Sequence, residues 1–566
     1  MLQYNECVDQ FHEYFTQDPN ACVALGVAKR LNDLPDPSVA AEQKRVEEGK
    51  RLLEQLQQCS REGLDFDQSL DLELAIQAVE YELFGLTYQF NGKTESAQMP
   101  DAGDDISDGI FLLFANDPRP AVERLDNITA RLEKVPHHLD AVLARLDTPV
   151  KRWVDMDLEK TAELPEFLHT LREWAVGEAY SDIARLDTAI EAAEQALDQY
   201  RAHLKALPMT DQFAIGQEQA QQLVKLRGID VPFADLKAMA RDFLSVNAAE
   251  VEELRQKLLR KYSLPVGWTA EQLQSFLNER YRVDPKDAAY NGILKRYQTE
   301  RESILTFIRE QDLFPLPSDQ DMKIIRTPGF MTPSIPAGAM MSPPPFRAGV
   351  KQSMVYLTLS EELLDEHTEL SIPVMLIHEG IPGHHLQMAS AACHASVIRR
   401  HMDAMDQAEG WTTMLEDYML DLGYMGELTD EARFIGKRDI ARLGARVAID
   451  LYFMTGDVFY LDVGVPLGKL GTDPFPNAAA LLSPVTGFTP SRLQGELNWY
   501  SQSRGYPLSY LTGNRLVWKL KQDVATAQQG KLEGLALDRA FHRAYLEAGG
   551  MPLTFLRKVF VHQGLL

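Results

Sequence analysis

The chain is poor in cysteine, poor in positive charge, and has no long apolar run. Four cysteines in 566 residues (Cys7, Cys22, Cys59 and Cys393) are too few and too scattered for a disulfide framework or a Cys-x-x-Cys zinc site. Lys and Arg number 57 against 83 Asp and Glu, a formal net charge of −26. An excess of that sign argues against a nucleic-acid scaffold and against a protein held on anionic lipid by a basic face. No stretch of about 20 apolar residues could span a bilayer. The opening MLQYNECVDQFHEYF has no basic segment followed by an apolar one, so the expected location is cytoplasmic, with neither nucleic acid nor membrane as partner. What is present is 45% hydrophobic and 25% charged residues, a globular composition with enough length for several cores.

Amphipathic periodicity fills the first half. Ile183, Leu186, Ile190, Ala193, Leu197, Tyr200 and Leu204 recur at alternating spacings of three and four, an apolar seam closing every two turns, and Pro208 stops it. Val122, Leu125, Ile128, Leu132 and Val135 repeat the pattern up to Pro136, and similar stretches cover 38–58, 217–227 and 235–262. No internal repeat of fixed period is visible, so a solenoid is not indicated. After Gln311 the composition changes: eight prolines fall between Pro315 and Pro345, a density that no regular helix survives. Ser353–Leu359 then reads as a short strand, and helical patterning returns to the C-terminus apart from a Gly/Pro/Asn-rich loop near 463–490. The expected class is mainly α with a small β-sheet. It divides into a helical region 1–314, a Pro/Gly-rich loop segment 315–352 and a region 353–566 that carries the chemistry.

Of thirteen histidines, five lie within residues 378–401. The dense part reads His378-Glu379-Gly-Ile-Pro382-Gly383-His384-His385-Leu-Gln387. An apolar approach into His-Glu is similar to the opening of a zinc-protease helix, where His-Glu-x-x-His puts two imidazoles on one face and leaves the glutamate free to act on a metal-bound water. Here the next histidine after His378 is His384, at i+6, about 120° off the face and roughly 9 Å along a straight helix. His385, at i+7, recovers the face but lies about 10.5 Å away along the axis. Either could reach a shared metal only if the helix is broken, and Pro382 and Gly383 are the residue types that break one. A third donor is available in Glu409, 25 residues after His384, and His2Glu with one open position is a recognised catalytic zinc set. Glu416 falls on the same helical face as Glu409 and could orient a histidine from behind.

The strings HEGIPGHHLQ and EGWTTMLEDYM together resemble a bacterial family known only as a domain of unknown function, DUF885. The matching residues are His378, Glu379, Pro382, Gly383, His384, His385, Gln387, Glu409, Gly410, Trp411 and Glu416. Tyr506-Pro-Leu-Ser-Tyr510 and Gly549-Gly-Met-Pro552 in the C-terminal part also fit. That family is in turn similar to gluzincin metallopeptidases such as the thimet oligopeptidase type, mainly α proteins with a deep cleft. The resemblance implies one Zn²⁺ held by His378, His384 and Glu409, with Glu379 as general base. It also implies hydrolysis of short peptides, with Tyr510, or else Tyr506, as donor to the oxyanion. Where relatives often carry an Arg-Tyr pair this chain has Trp499-Tyr500, and many relatives have a lipoprotein or secretory leader, which would put them outside the cytoplasm. Two structural expectations follow. The helix should break at Pro382-Gly383, and Met354–Leu359 should form a free sheet edge along the cleft, with the loop 328–347 beside it.

Overall fold

Helix dominates because most of the apolar residues are spaced for it. The computed structural model describes residues 3–327 and 338–566, and these hold 24 α-helices against five short strands. The expected seams are where the periodicity put them. Ile183–Ala206 is one helix with Leu186, Ile190, Ala193, Leu197, Tyr200 and Leu204 buried. Val39–Gln57, Gln217–Leu226 and Phe233–Lys261 match the other stretches to within two residues. Pro136 separates two helices by opening the second, Val135–Arg145, from within its first turn.

The described chain divides into two compact units. One comprises the residues up to Ile215 with Pro344–Ala348 and Ser396–His401; the other comprises Gly216–Pro343, Gly349–Ala395 and Met402–Leu566. The first is helical with a two-stranded ribbon, Gln89–Phe90 against Lys93–Thr94. Fully buried Arg131 ties it together by donating to the Leu31 and Pro19 carbonyls and to Asn20. Arg399 binds Asp71 within this unit at 2.7 Å, and His401 lies 2.8 Å from His12. His401 therefore belongs to a different place from His378.

The second unit contains the histidine and Glu-Gly-Trp strings and a three-stranded sheet. Lys351–Leu357 is its central strand, parallel to Gln320–Arg326 and antiparallel to Gly338–Met341. This corrects the expected edge strand at Met354–Leu359, which is paired on both sides. The proline count between 315 and 345 excludes helix but not extended backbone, and both partner strands come from the segment read as loop. Of the loop 328–347, residues 328–337 lie outside those described. Residues 463–490 also hold more structure than expected: Pro474–Thr486 is a helix, started by the Asp473 side chain on Phe475 N–H and by Pro474 in the first turn.

Four helices of the first half, from Gln217–Leu226 to Asn291–Gln311, belong to this second unit and support the histidine string. Leu370, just before the helix Ser371–Glu379, is buried with Leu258, Leu259, Leu273, Leu277 and Phe434. Tyr297 of Asn291–Gln311 donates its hydroxyl to the Met375 sulfur at 2.9 Å. No described helix is long and apolar enough to cross a membrane.

Two helices of this unit, Met405–Asp421 and Ser509–Ala527, meet backbone to backbone. A Cβ built on Gly410 would meet the backbone of Gly513 at 2.5–2.9 Å, and one on Gly513 would run into the Asp406 carbonyl. Side chains at either position must push the helices apart. Gly410→Ala is expected to lower stability by about 1–3 kcal/mol, read as an earlier urea or thermal midpoint. An alanine variant with an unshifted midpoint would show that the helices are not in backbone contact.

Candidate metal centre

The helix Ser371–Glu379 ends on the pair that opens the motif, His378-Glu379. The next helix, His384–Ala392, begins on His384. Between them the chain leaves helical geometry at Gly380, passes a cis Ile381–Pro382 bond and re-enters at Gly383. The expected break is present and lies across residues 380–383. It is tight enough that a Cβ on Gly383 would collide with the carbonyl oxygens of Ile377 and His378. Trp411 on the neighbouring helix pins the turn by donating its indole N–H to the Pro382 carbonyl at 2.9 Å. Folded back this way, the rings of His378 and His384 come to 4.9 Å between centroids, nearly perpendicular.

Glu409, on the helix Met405–Asp421, completes the group. Its Oε2 lies 3.6 Å from His378 Nε2 and 3.4 Å from His384 Nε2. One donor atom from each of the three residues falls within 4.8 Å of the other two. These distances discriminate between two arrangements. A charge-assisted hydrogen bond is about 2.7–2.9 Å, whereas donors 2.0–2.1 Å from one tetrahedral zinc stand about 3.3 Å apart. The observed separations match the second. Glu409 Oε2 is buried and accepts no hydrogen bond, although its partner Oε1 accepts from the Tyr506 hydroxyl at 3.1 Å. A buried carboxylate oxygen facing two ring nitrogens, with no proton donor of its own, fits a divalent cation.

Groups behind the donors fix their orientation. His378 Nδ1 meets Glu416 Oε1 at 2.7 Å, so Glu416 holds the ring with Nε2 turned toward Glu409. His384 Nδ1 has no such partner and is buried. Although burial works against a charged ring, Glu409 and Glu416 raise His378 to about 10. Burial opposes the Glu409 charge too, yet His384 and His378 hold that carboxylate well below its ordinary value.

The neighbouring candidates separate by where they point. His385 turns away to the sheet, with Nδ1 2.7 Å from Ser353 Oγ and Nε2 against Gln320, and burial lowers it to about 4. It anchors the second helix and leaves the donor set to His384. Glu379 is half-buried and has no hydrogen-bond or ion-pair partner among the described residues. Tyr506 reaches Glu409 through its hydroxyl, and the Tyr510 ring lies beside that of Tyr506, 5.7 Å between centroids. Burial first, and then the Glu409 charge, push both phenols well above their ordinary value.

Several positioning groups gave no signal in the sequence. Asp450, fully buried, accepts from the backbone N–H of Gly505 and Leu508 at 3.0 Å each and so shapes the turn that presents Tyr506. Gln407 bonds the Gly549 carbonyl and the Met551 N–H, both at 3.0 Å, and Asp406 bonds the Leu553 N–H at 2.8 Å. The string Gly549–Leu553 therefore clamps the first turn of the Glu409 helix. Arg446 lies with its guanidinium 4.4 Å from the Tyr510 ring centroid and is held by Tyr500 and Glu496 at 2.8 and 2.9 Å.

The sequence profile of a family described as bacterial proteins of unknown function, DUF885, matches residues 19–560, and the chain belongs to that family. No curated protein matches it in sequence. Solved structures that share the fold include the following two. One is a protein of unknown function from Shewanella oneidensis, provisionally designated a lipoprotein: 17% identical, TM-score 0.76, covering 99% of this chain and 100% of that one. The other, from Colwellia psychrerythraea and likewise provisionally a lipoprotein, is 15% identical with a TM-score of 0.77 over 99% of both chains.

Elemental analysis after zinc loading is expected to find one ion per chain, lost in His378→Ala, His384→Ala and Glu409→Ala but kept in His385→Ala. Glu416→Gln should weaken zinc by about 10–100-fold without abolishing it. Because Glu409 and Glu416 favour the protonated ring of His378, zinc must displace that proton. Affinity should therefore rise about tenfold per pH unit per proton between pH 6 and 8, with proton release measurable by calorimetry in two buffers. Zinc retained by His384→Ala and lost from His385→Ala would reverse the assignment of the two histidines.

Proposed function

We propose that this member of the DUF885 family is a zinc-dependent peptidase acting on short peptides. The observation that carries the reading is the convergence of His378 Nε2, His384 Nε2 and Glu409 Oε2 at separations suited to one tetrahedral ion, with an unengaged carboxylate, Glu379, next in sequence to the first donor. The order His-Glu, then His, then Glu from a following helix resembles the gluzincin arrangement. A bound Zn²⁺ would supply Lewis acidity toward a carbonyl and acidify a water.

The protein's own groups take the remaining roles. Glu379, lacking any competing partner, accepts the proton of the attacking water and returns it to the leaving amine. Tyr506 donates to Glu409 Oε1 and so holds that carboxylate with Oε2 toward the imidazoles. Tyr510, whose ring rests on the Arg446 guanidinium, is then the donor for the developing oxyanion. The backbone of an extended peptide requires an open sheet edge. With the central strand paired on both sides, the edge Gly338–Met341 replaces it. That strand starts against Met375 of the His378 helix, and the next residue, Ser342, bonds the Met388 sulfur of the His384 helix at 2.9 Å.

Hydrolysis of a mixed short-peptide library by the zinc-loaded chain, followed by mass spectrometry, tests the reading. Glu379→Gln is expected to keep its zinc and lose about 10²–10⁴ in rate, and Tyr510→Phe to lose rate with little change in zinc. Stoichiometric zinc with no turnover of any peptide would instead favour a metal-binding protein without catalysis. On compartment, the cytoplasmic expectation and the designation of the two solved relatives point different ways. Fractionation of cells expressing the full-length protein separates them.

A further inference from the structure

Arg442 and Arg446 stand one turn apart on the helix Arg442–Thr455. Their surroundings differ. Arg446 is saturated by Tyr500 and Glu496. The Arg442 side chain is only 16% exposed, yet its one hydrogen-bond and ion-pair partner among the described residues is Asp439, three residues earlier on the preceding turn, and that contact uses Nη1 alone. Nε and Nη2, the pair of donors that matches a carboxylate in parallel, are left over.

The nearby carboxylates do not fill the gap. Glu416 is committed to His378 and Glu496 to Arg446 and Tyr500, although both charges act on Arg442. Burial, and then the Arg446 charge, push Arg442 below its ordinary value. Neither Nε nor Nη2 is among the buried atoms that lack a partner, so this half of the fork stays reachable for an incoming anion. The place of Arg442 is informative as well. It feels Glu416, the group behind the His378 ring, and lies one turn from the arginine under Tyr510.

We propose that Arg442 takes the free C-terminal carboxylate of a short peptide, so that the substrates are peptides recognised by their unblocked C-terminus. This rests on the peptidase reading for what happens after binding, but the binding itself does not need turnover. A carboxylate entering here places its two oxygens against Nε and Nη2, while Nη1 stays on Asp439. An amide-capped peptide offers one neutral oxygen and a clashing N–H₂ and forfeits the ion pair.

The test measures binding of acetyl-trialanine and of its C-terminal amide to the full-length Glu379→Gln protein by isothermal titration calorimetry. The acid is expected to bind at least about tenfold more tightly than the amide. Arg442→Met, close in length and uncharged, should bring that ratio to about one. Arg442→Lys, which keeps a charge without the fork, should give an intermediate ratio and serves if the methionine variant does not fold. Equal binding of acid and amide, no binding of either, or a ratio unchanged in Arg442→Met would overturn the proposal. Zinc content of the same samples keeps the two readings apart. A preserved acid preference without zinc would sink the peptidase reading and leave the Arg442 assignment standing, whereas full zinc occupancy with no acid preference would do the reverse.

Discussion

Two imidazoles six residues apart cannot share a face of a continuous helix, and the site exists because the backbone between them folds back on itself. The fold-back needs a residue without Cβ at Gly383, where the chain presses on the carbonyls of Ile377 and His378. It also needs an external hold, which Trp411 supplies through the Pro382 carbonyl. A tryptophan so fully buried spends its one polar atom on that bond, so burial of the ring and closure of the turn are one event. Removing either would let His384 swing away from His378.

The helix Met405–Asp421 is where the remaining constraints meet, and its periodicity explains how one segment serves so many. Glu409 and Glu416 are two turns apart on the face toward the histidines, one as the third donor and one behind the His378 ring. Gly410 turns to a different face, where it lets the helix that follows Tyr506 approach, and the Tyr506 phenol reaches Glu409. Asp406 and Gln407, in the first turn, are claimed by the backbone of Gly549–Leu553. Every face of this helix is engaged, which is why it is buried nearly throughout despite its charged residues.

Charge is arranged locally against the overall balance. The chain carries a formal −26, yet around the donors the acidic groups are each answered: Glu409 by two imidazoles, Glu416 by His378, Glu496 by Arg446. Low dielectric makes such pairing obligatory, because an unanswered buried charge costs several kcal/mol. Among the described residues Glu379 has no hydrogen-bond or ion-pair partner and Arg442 keeps half of its fork open, and these are the two groups assigned to a substrate.

Much was legible in the sequence, for reasons that are local. Helix class followed from spacing, since a seam such as Leu186–Leu204 has only one regular conformation that buries it. The need for a break between the histidines followed from helix geometry and the two residue types, proline and glycine, that cannot sustain it, whereas the choice of His378, His384 and Glu409 as donors came from the family resemblance. Strand order was not legible. Gln320–Arg326 and Gly338–Met341 have no strong alternation, and their pairing partners lie up to about 30 residues away, so the central strand was read as an edge. Nor could spacing choose between His384 and His385. Side chains one residue apart at a helix start point in different directions, and only the position of Ser353 and Gln320 turned His385 to the sheet. Asp450, Gln407 and Arg446 act on segments 50 or more residues distant; contacts of that range are fixed by packing, which no local pattern encodes.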